Sequence, residues 1–133
     1  MTQLHYLGWP DHGVPANAIS MVNFIRQVRK IHPPFHQPPL LVHCSAGVGR
    51  TGAFIVLDSM MQRIEAEGNV NIYEFLEKLR MQRMLMVQTE VYILYTNLPL
   101  VIFYIIMLMM GCGKASMQLN ILLNFPVPVY VHS

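Results

Sequence analysis

Residues 40–52, Leu40-Leu41-Val42-His43-Cys44-Ser45-Ala46-Gly47-Val48-Gly49-Arg50-Thr51-Gly52, admit two incompatible readings. Gly47, Gly49 and Gly52 satisfy G-x-G-x-x-G after an apolar run, the outline of a dinucleotide-binding turn. The same residues hold a cysteine followed, after five residues, by an arginine, the outline of a loop that attacks a phosphate ester. Both readings place a short strand over Leu40 to His43 and a helix from Gly52 onward.

The dinucleotide reading needs an acidic residue about 20 positions on, at the end of a second strand, to hold ribose hydroxyls. Glu65 and Glu67 fall near that distance, but at the end of the helix that starts around Gly52. The reading also leaves Cys44 and Arg50 without a task. A Walker-type loop fails because no lysine follows these glycines in the G-K-[ST] position.

The phosphate-ester reading uses every residue. A thiol becomes a good nucleophile only as the thiolate. Cys44 at a strand end, before a tight loop and a helix, has backbone N–H groups and a helix dipole aimed at it. Ser45, Ala46, Gly47, Val48 and Gly49 would wrap the phosphoryl group, and Arg50 would grip two of its oxygens with a planar fork. Thr51 can donate to the sulfur and His43 can help hold the thiolate. The departing oxygen needs a proton, and Asp11, in the loop Pro10-Asp11-His12-Gly13-Val14-Pro15, is the candidate general acid, with Trp9 and Pro10 as hinge and anchor.

Around this loop the chain alternates strand and helix signals. Thr2 to Trp9 reads as a strand. Asn17 or Ser20 caps a helix whose apolar face is Ile19, Val22, Ile25 and Val28, and whose Arg26, Arg29 and Lys30 read as a solvated face. The helix after the loop carries Phe54, Leu57, Met61 and Ile64 on one face and stops at Gly68-Asn69; another spans Tyr73 to Gln82, with Phe75, Leu76 and Leu79 inward. This order predicts an α/β fold, a twisted mixed sheet flanked by helices.

The 133 residues suit one small domain with a core of its own. Charged residues are only 12% of the chain, and all of them except Lys114 lie at or before Glu90. A net charge of +2 without a Lys/Arg block gives no nucleic-acid signature. Cys44 and Cys112 offer neither a disulfide framework nor metal-ligand spacing, so no metal or other cofactor is expected, and a reducing, cytoplasmic setting is the default. Met1 to His5 lacks the basic and apolar regions of a signal peptide. Leu98 to Met110 is an uncharged apolar run, shorter than the ~20 residues of a membrane span, so a buried helix is favoured there over a membrane anchor on the cytosolic face.

Trp9-Pro10-Asp11-His12-Gly13-Val14-Pro15 and Val42 to Gly52 resemble the acid loop and signature loop of tyrosine-specific protein phosphatases. Gln82-Arg83 followed by Met86-Val87-Gln88-Thr89-Glu90 resembles the family's glutamine loop, and Phe54-Ile55-Val56-Leu57-Asp58-Ser59-Met60 is similar to the receptor-type members. The resemblance implies a phosphatase-type fold and hydrolysis of phosphotyrosine in proteins. Cys44 would form a cysteinyl-phosphate while Asp11 protonates the tyrosine oxygen; Gln88 would then position a water. It divides the chain into residues 1–95, the C-terminal half of such a catalytic domain, and residues 96–133, a divergent apolar tail. The family's N-terminal half, with its phosphotyrosine clamp and several strands, is expected to be missing. The glutamine loop departs from the family by one residue: Glu90-Val91-Tyr92 runs on where a second Gln normally precedes the aromatic. These departures leave a second expectation open, a weakly active or inactive fragment that binds phosphorylated partners.

Overall fold

A computed structural model describes residues 2–33, 39–89, 92–97 and 99–100. Its order is α1 (Ala18–Ile31), α2 (Gly49–Glu67) and α3 (Ile72–Gln82), with residues 92–97 and 99–100 also helical. Helix α2 is the centre, and α1 and α3 both pack on it.

Each helix starts and stops for local reasons. The Asn17 side chain accepts from the Ile19 N–H, capping α1. Asn71 accepts from the Glu74 N–H at 3.1 Å while its own amide reaches back to the Glu74 carboxylate, a reciprocal cap for α3. Helix α2 has no side-chain cap at Val48 and no acidic residue in its first turn. It ends at Gly68, in the left-handed conformation that closes so many helices.

Burial is densest on α2. Ala53, Phe54, Val56, Leu57, Met60, Met61 and Ile64 are all buried, meeting Met21, Val22, Ile25 and Val28 of α1 and Leu76 of α3. Leu100 and Tyr95 close the same core, so it extends past residue 95. Phe75 and Leu79 pack against its edge. The expected face of α1 is buried at Val22, Ile25 and Val28, but Ile19 is 46% exposed and Ala18 and Met21 are buried in the first turn instead.

Two expectations are corrected. The first is the mixed sheet, since no described residue belongs to a strand and Val70 alone is an isolated bridge position. Alternation and apolar runs record which side chains seek a core, but a strand exists only when a neighbour takes its backbone N–H and C=O groups. No described segment pairs with Thr2 to Trp9 or with Leu40 to His43, and Leu7 and Leu41 are each 81% exposed. The second concerns one residue of the solvated basic face of α1: Arg26 and Lys30 are exposed as expected, but Arg29 is not. Arg29 is half-buried: its Nε donates to Asp58 Oδ1 at 2.7 Å, a second nitrogen reaches the Asp58 carbonyl, and a third lies 3.4 Å from Glu65. Arg29 ties α1 to α2.

No helix among the described residues is long and apolar enough to cross a membrane. Most of residues 98–110, and Cys112, lie outside the described residues.

Candidate active site

Cys44 stands where the chain turns into α2. The N–H groups of Thr51, Gly47 and Val48 and the Thr51 hydroxyl all act on its sulfur. Burial is the largest single influence and pushes the thiol's pKa up. The side-chain donor of Thr51 and the three backbone donors together outweigh it, so the thiol lies below its ordinary value. Thr51 Oγ1 is buried and closes no full hydrogen bond. The Cys44 sulfur is the group that its hydroxyl acts on. The uncapped start of α2 adds its dipole at the same point.

Gly47 takes φ +70°, which turns its N–H toward the sulfur at no steric cost. Its carbonyl accepts from Arg83 Nε at 3.0 Å, and the Ala46 carbonyl from another Arg83 nitrogen at 3.4 Å. Arg83 thus holds the loop's acceptors outward while its donors stay on the cysteine side.

Gly52 is required for a different reason. A Cβ there would lie 2.4 Å from the Val87 backbone nitrogen. That close approach lets the Val87 N–H donate to the Val48 carbonyl at 3.0 Å, joining the segment around Gln88 to the head of α2. Leu85 and Val87 in this segment have φ of +63° and +56°, a costly state for a β-branched residue. Arg80 compensates by donating to the Met86 and Val87 carbonyls, both at 3.0 Å. Gln88 Oε1 comes to 3.6 Å from the place a Cβ on Gly49 would occupy.

The loop bearing Asp11 sits over the same region. Trp9 Nε1 donates to the Gly13 carbonyl at 3.0 Å, closing residues 9–13 into a turn that leaves Asp11 exposed. Arg50 donates to the Pro10 carbonyl at 3.1 Å, and its guanidinium carbon lies 6.0 Å from the Trp9 ring centroid. The ring of Trp9 is stacked on Tyr92. Three segments distant in sequence, around Asp11, Cys44 and Gln88, therefore converge at the N-terminus of α2.

The sequence model of the protein-tyrosine phosphatase family matches residues 1–99. The chain belongs to that family. It is 46% identical over 105 residues to the receptor-type tyrosine-protein phosphatase epsilon of Rattus norvegicus, covering 79% of this chain and 15% of that protein. The human epsilon form is 45% identical over the same length. The human receptor-type tyrosine-protein phosphatase zeta is 52% identical over 92 residues, 68% of this chain and 4% of that protein. The chain thus spans a small part of the length of these relatives.

Within this family frame, the placement of the expected residues is uneven. Cys44, Thr51, Gly47 and Val48 are brought together. His43 is exposed and is not among the groups that act on the sulfur. Arg50 faces the acid loop's Pro10 carbonyl. Ser45 and Ala46 form the exposed crest of the loop, and Gly49 is buried. Sequence reasoning gave no role to Arg80, Arg83 or Tyr92. The two arginines, three apart at the end of α3, were visible as cations suited to a helix C-terminus, but the carbonyls they serve lie elsewhere in the chain. Among the described residues, no cluster of His, Cys, Asp or Glu could hold a metal ion.

Proposed function

We propose that this segment is a phosphotyrosine-directed phosphatase unit acting through a cysteinyl-phosphate. The Cys44 thiolate attacks phosphorus as the bond to the tyrosine oxygen breaks, and Asp11 gives that oxygen its proton. A water positioned by Gln88 then gives its proton to Asp11 and attacks the phosphorus. The S–P bond breaks, releasing phosphate and regenerating the thiolate. The N–H groups of Ser45 to Arg50 and the Arg50 fork bind the phosphoryl oxygens throughout, supplying the positive field that a metal supplies in other phosphoryl transfers. The partners are phosphotyrosine-containing proteins, and the compartment is the cytoplasm.

The observation that carries this reading is the convergence of the Thr51 hydroxyl and the Thr51, Gly47 and Val48 N–H groups on one sulfur, beneath a loop that presents Asp11. The test is hydrolysis of p-nitrophenyl phosphate and of a phosphotyrosyl peptide. Cys44→Ala should abolish turnover, and Asp11→Asn should lower kcat by about 10²–10⁴. Absence of turnover from protein with a cooperative unfolding transition sinks the reading.

A second reading, oxyanion binding with little turnover, draws on the unpaired run before Cys44, where Leu41 is 81% exposed. A nucleophile on an unsupported segment loses the positioning that catalysis requires. Vanadate binding without hydrolysis would select this reading.

A further inference from the structure

Tyr92 bears on all three converging segments, two through its ring and one through its backbone. Its ring stacks on Trp9 of the acid loop, with centroids 5.3 Å apart and planes 16° from parallel. Its Cζ lies 3.4 Å from where a Cβ on Gly49 would stand, ordinary van der Waals distance, so the ring lies close against the signature loop at Gly49. Its backbone N–H is 3.5 Å from Thr89 Oγ1, next to Gln88. Trp9 also meets Tyr95 edge-on at 5.2 Å and Tyr6 edge-on at 6.5 Å. The shortened run Glu90-Val91-Tyr92 noted in the sequence puts this aromatic four residues after Gln88.

We propose that Tyr92 is a positioning residue that fixes the acid loop over the signature loop, holding Trp9 through ring stacking while it bears on Gly49. Offset-stacked rings bring geometric preference beyond the area they bury, and a bare glycine gives the second ring a flat seat. The consequence is selective. Loss of the ring lets the loop that carries Asp11 drift, while the donors around Cys44, which come from Gly47, Val48 and Thr51, stay in place. The catalytic consequence rests on the phosphatase reading; the packing consequence does not.

The chain contains one tryptophan, Trp9, so its fluorescence reports this contact directly. The experiment compares wild type, Tyr92→Phe, Tyr92→Leu and the more adaptable Tyr92→Met in the full chain. Three quantities are followed: Trp9 emission with acrylamide quenching, the pH profile of Cys44 alkylation by iodoacetate, and kcat on aryl phosphates of differing leaving-group acidity. Tyr92→Phe should match wild type. Tyr92→Leu and Tyr92→Met should red-shift Trp9 emission and increase its quenching, with the alkylation profile unmoved. Their kcat should fall about tenfold on phenyl phosphate and much less on dinitrophenyl phosphate, whose leaving group needs no proton.

Unchanged Trp9 emission in both non-aromatic variants would overturn the proposal, as would a loss in Tyr92→Phe equal to theirs or an equal fall on both substrates. Failure of the phosphatase reading looks different: wild type would not turn over any aryl phosphate, while the fluorescence shifts remained.

Discussion

The Arg83 guanidinium donates through Nε to the Gly47 carbonyl at 3.0 Å, across 36 residues of sequence. That bond orients a peptide unit. With its oxygen held outward, the peptide unit ahead of Val48 turns its N–H toward Cys44, one of the donors that keep the thiol below its ordinary value. A lysine could supply the charge but not the fork that reaches Gly47 and Ala46 together. Arg83→Lys should therefore lower kcat/KM on p-nitrophenyl phosphate by about tenfold, the scale of a charge-assisted hydrogen bond. A matching upward shift in the Cys44 alkylation midpoint would locate the effect in the loop.

Thr51 controls the same titration from the other side. Burial alone would raise the Cys44 pKa, and the Thr51 hydroxyl is the largest of the groups that lower it. A lowered pKa means more thiolate at a given pH, so alkylation by iodoacetate should reach half its maximal rate at a lower pH than for a free thiol. Thr51→Val removes the hydroxyl at nearly constant shape and should move that midpoint upward. Because the folded-state pKa is the depressed one, the thiolate's contribution to stability is present above the unfolded pKa and is lost as pH falls through the folded value. An unmoved midpoint in Thr51→Val contradicts the assignment.

Gly52 and Gly13 should respond differently to alanine. At Gly52 the new Cβ meets the Val87 backbone nitrogen at 2.4 Å, and backbone cannot rotate away as a side-chain tip can. Gly52→Ala should cost about 2–4 kcal/mol, at or slightly above the usual range for overpacking, and should weaken vanadate binding by displacing the Gln88 segment. At Gly13 the surroundings are open and only the φ of +80° resists, so Gly13→Ala should cost about 1 kcal/mol. Chemical denaturation of both variants gives the ranking.

Arg29 should matter more than an ordinary surface cation. Its side chain is 15% exposed and its Asp58 partner 22%, and it also serves the Asp58 carbonyl. Arg29→Met should cost about 1–3 kcal/mol, the scale for breaking a charge-assisted contact away from water, seen as a fall in Tm. Lys78, whose side chain is 70% exposed in its pair with Glu74, is the control: Lys78→Met should leave Tm nearly unchanged.

Helix boundaries were the most legible features of the chain. Asn17 accepts from a nearby N–H group and Gly68 supplies a left-handed stop, each acting within a few residues, whereas the cap at Asn71 was not read and α2 begins at Gly49, ahead of the expected Gly52. The core face of α1 was read correctly at Val22, Ile25 and Val28 and missed only in its first turn, where Ile19 and Met21 satisfy similar spacings and only the packing against α2 chooses between them. The sheet was misread because the apolar runs at 2–9 and 40–43 announce burial, whereas pairing depends on a partner those runs do not contain.

What the sequence determined by itself was the set of residue types that the proposed chemistry would use: a cysteine and an arginine flanking a glycine-bearing loop, a threonine behind them, and an aspartate upstream. Their reactivity is not local, since the Cys44 thiol lies below its ordinary value through donors that the folded loop brings to the sulfur. Tertiary structure alone decided what orients them. Arg83 reaches back to Gly47, Val87 bonds Val48 through the gap left by Gly52, and Arg50 reaches back to Pro10. Tyr92 joins Trp9 to Gly49. Each of these contacts spans tens of residues, and no local pattern encodes it, because its energy exists only after α2 and α3 have packed.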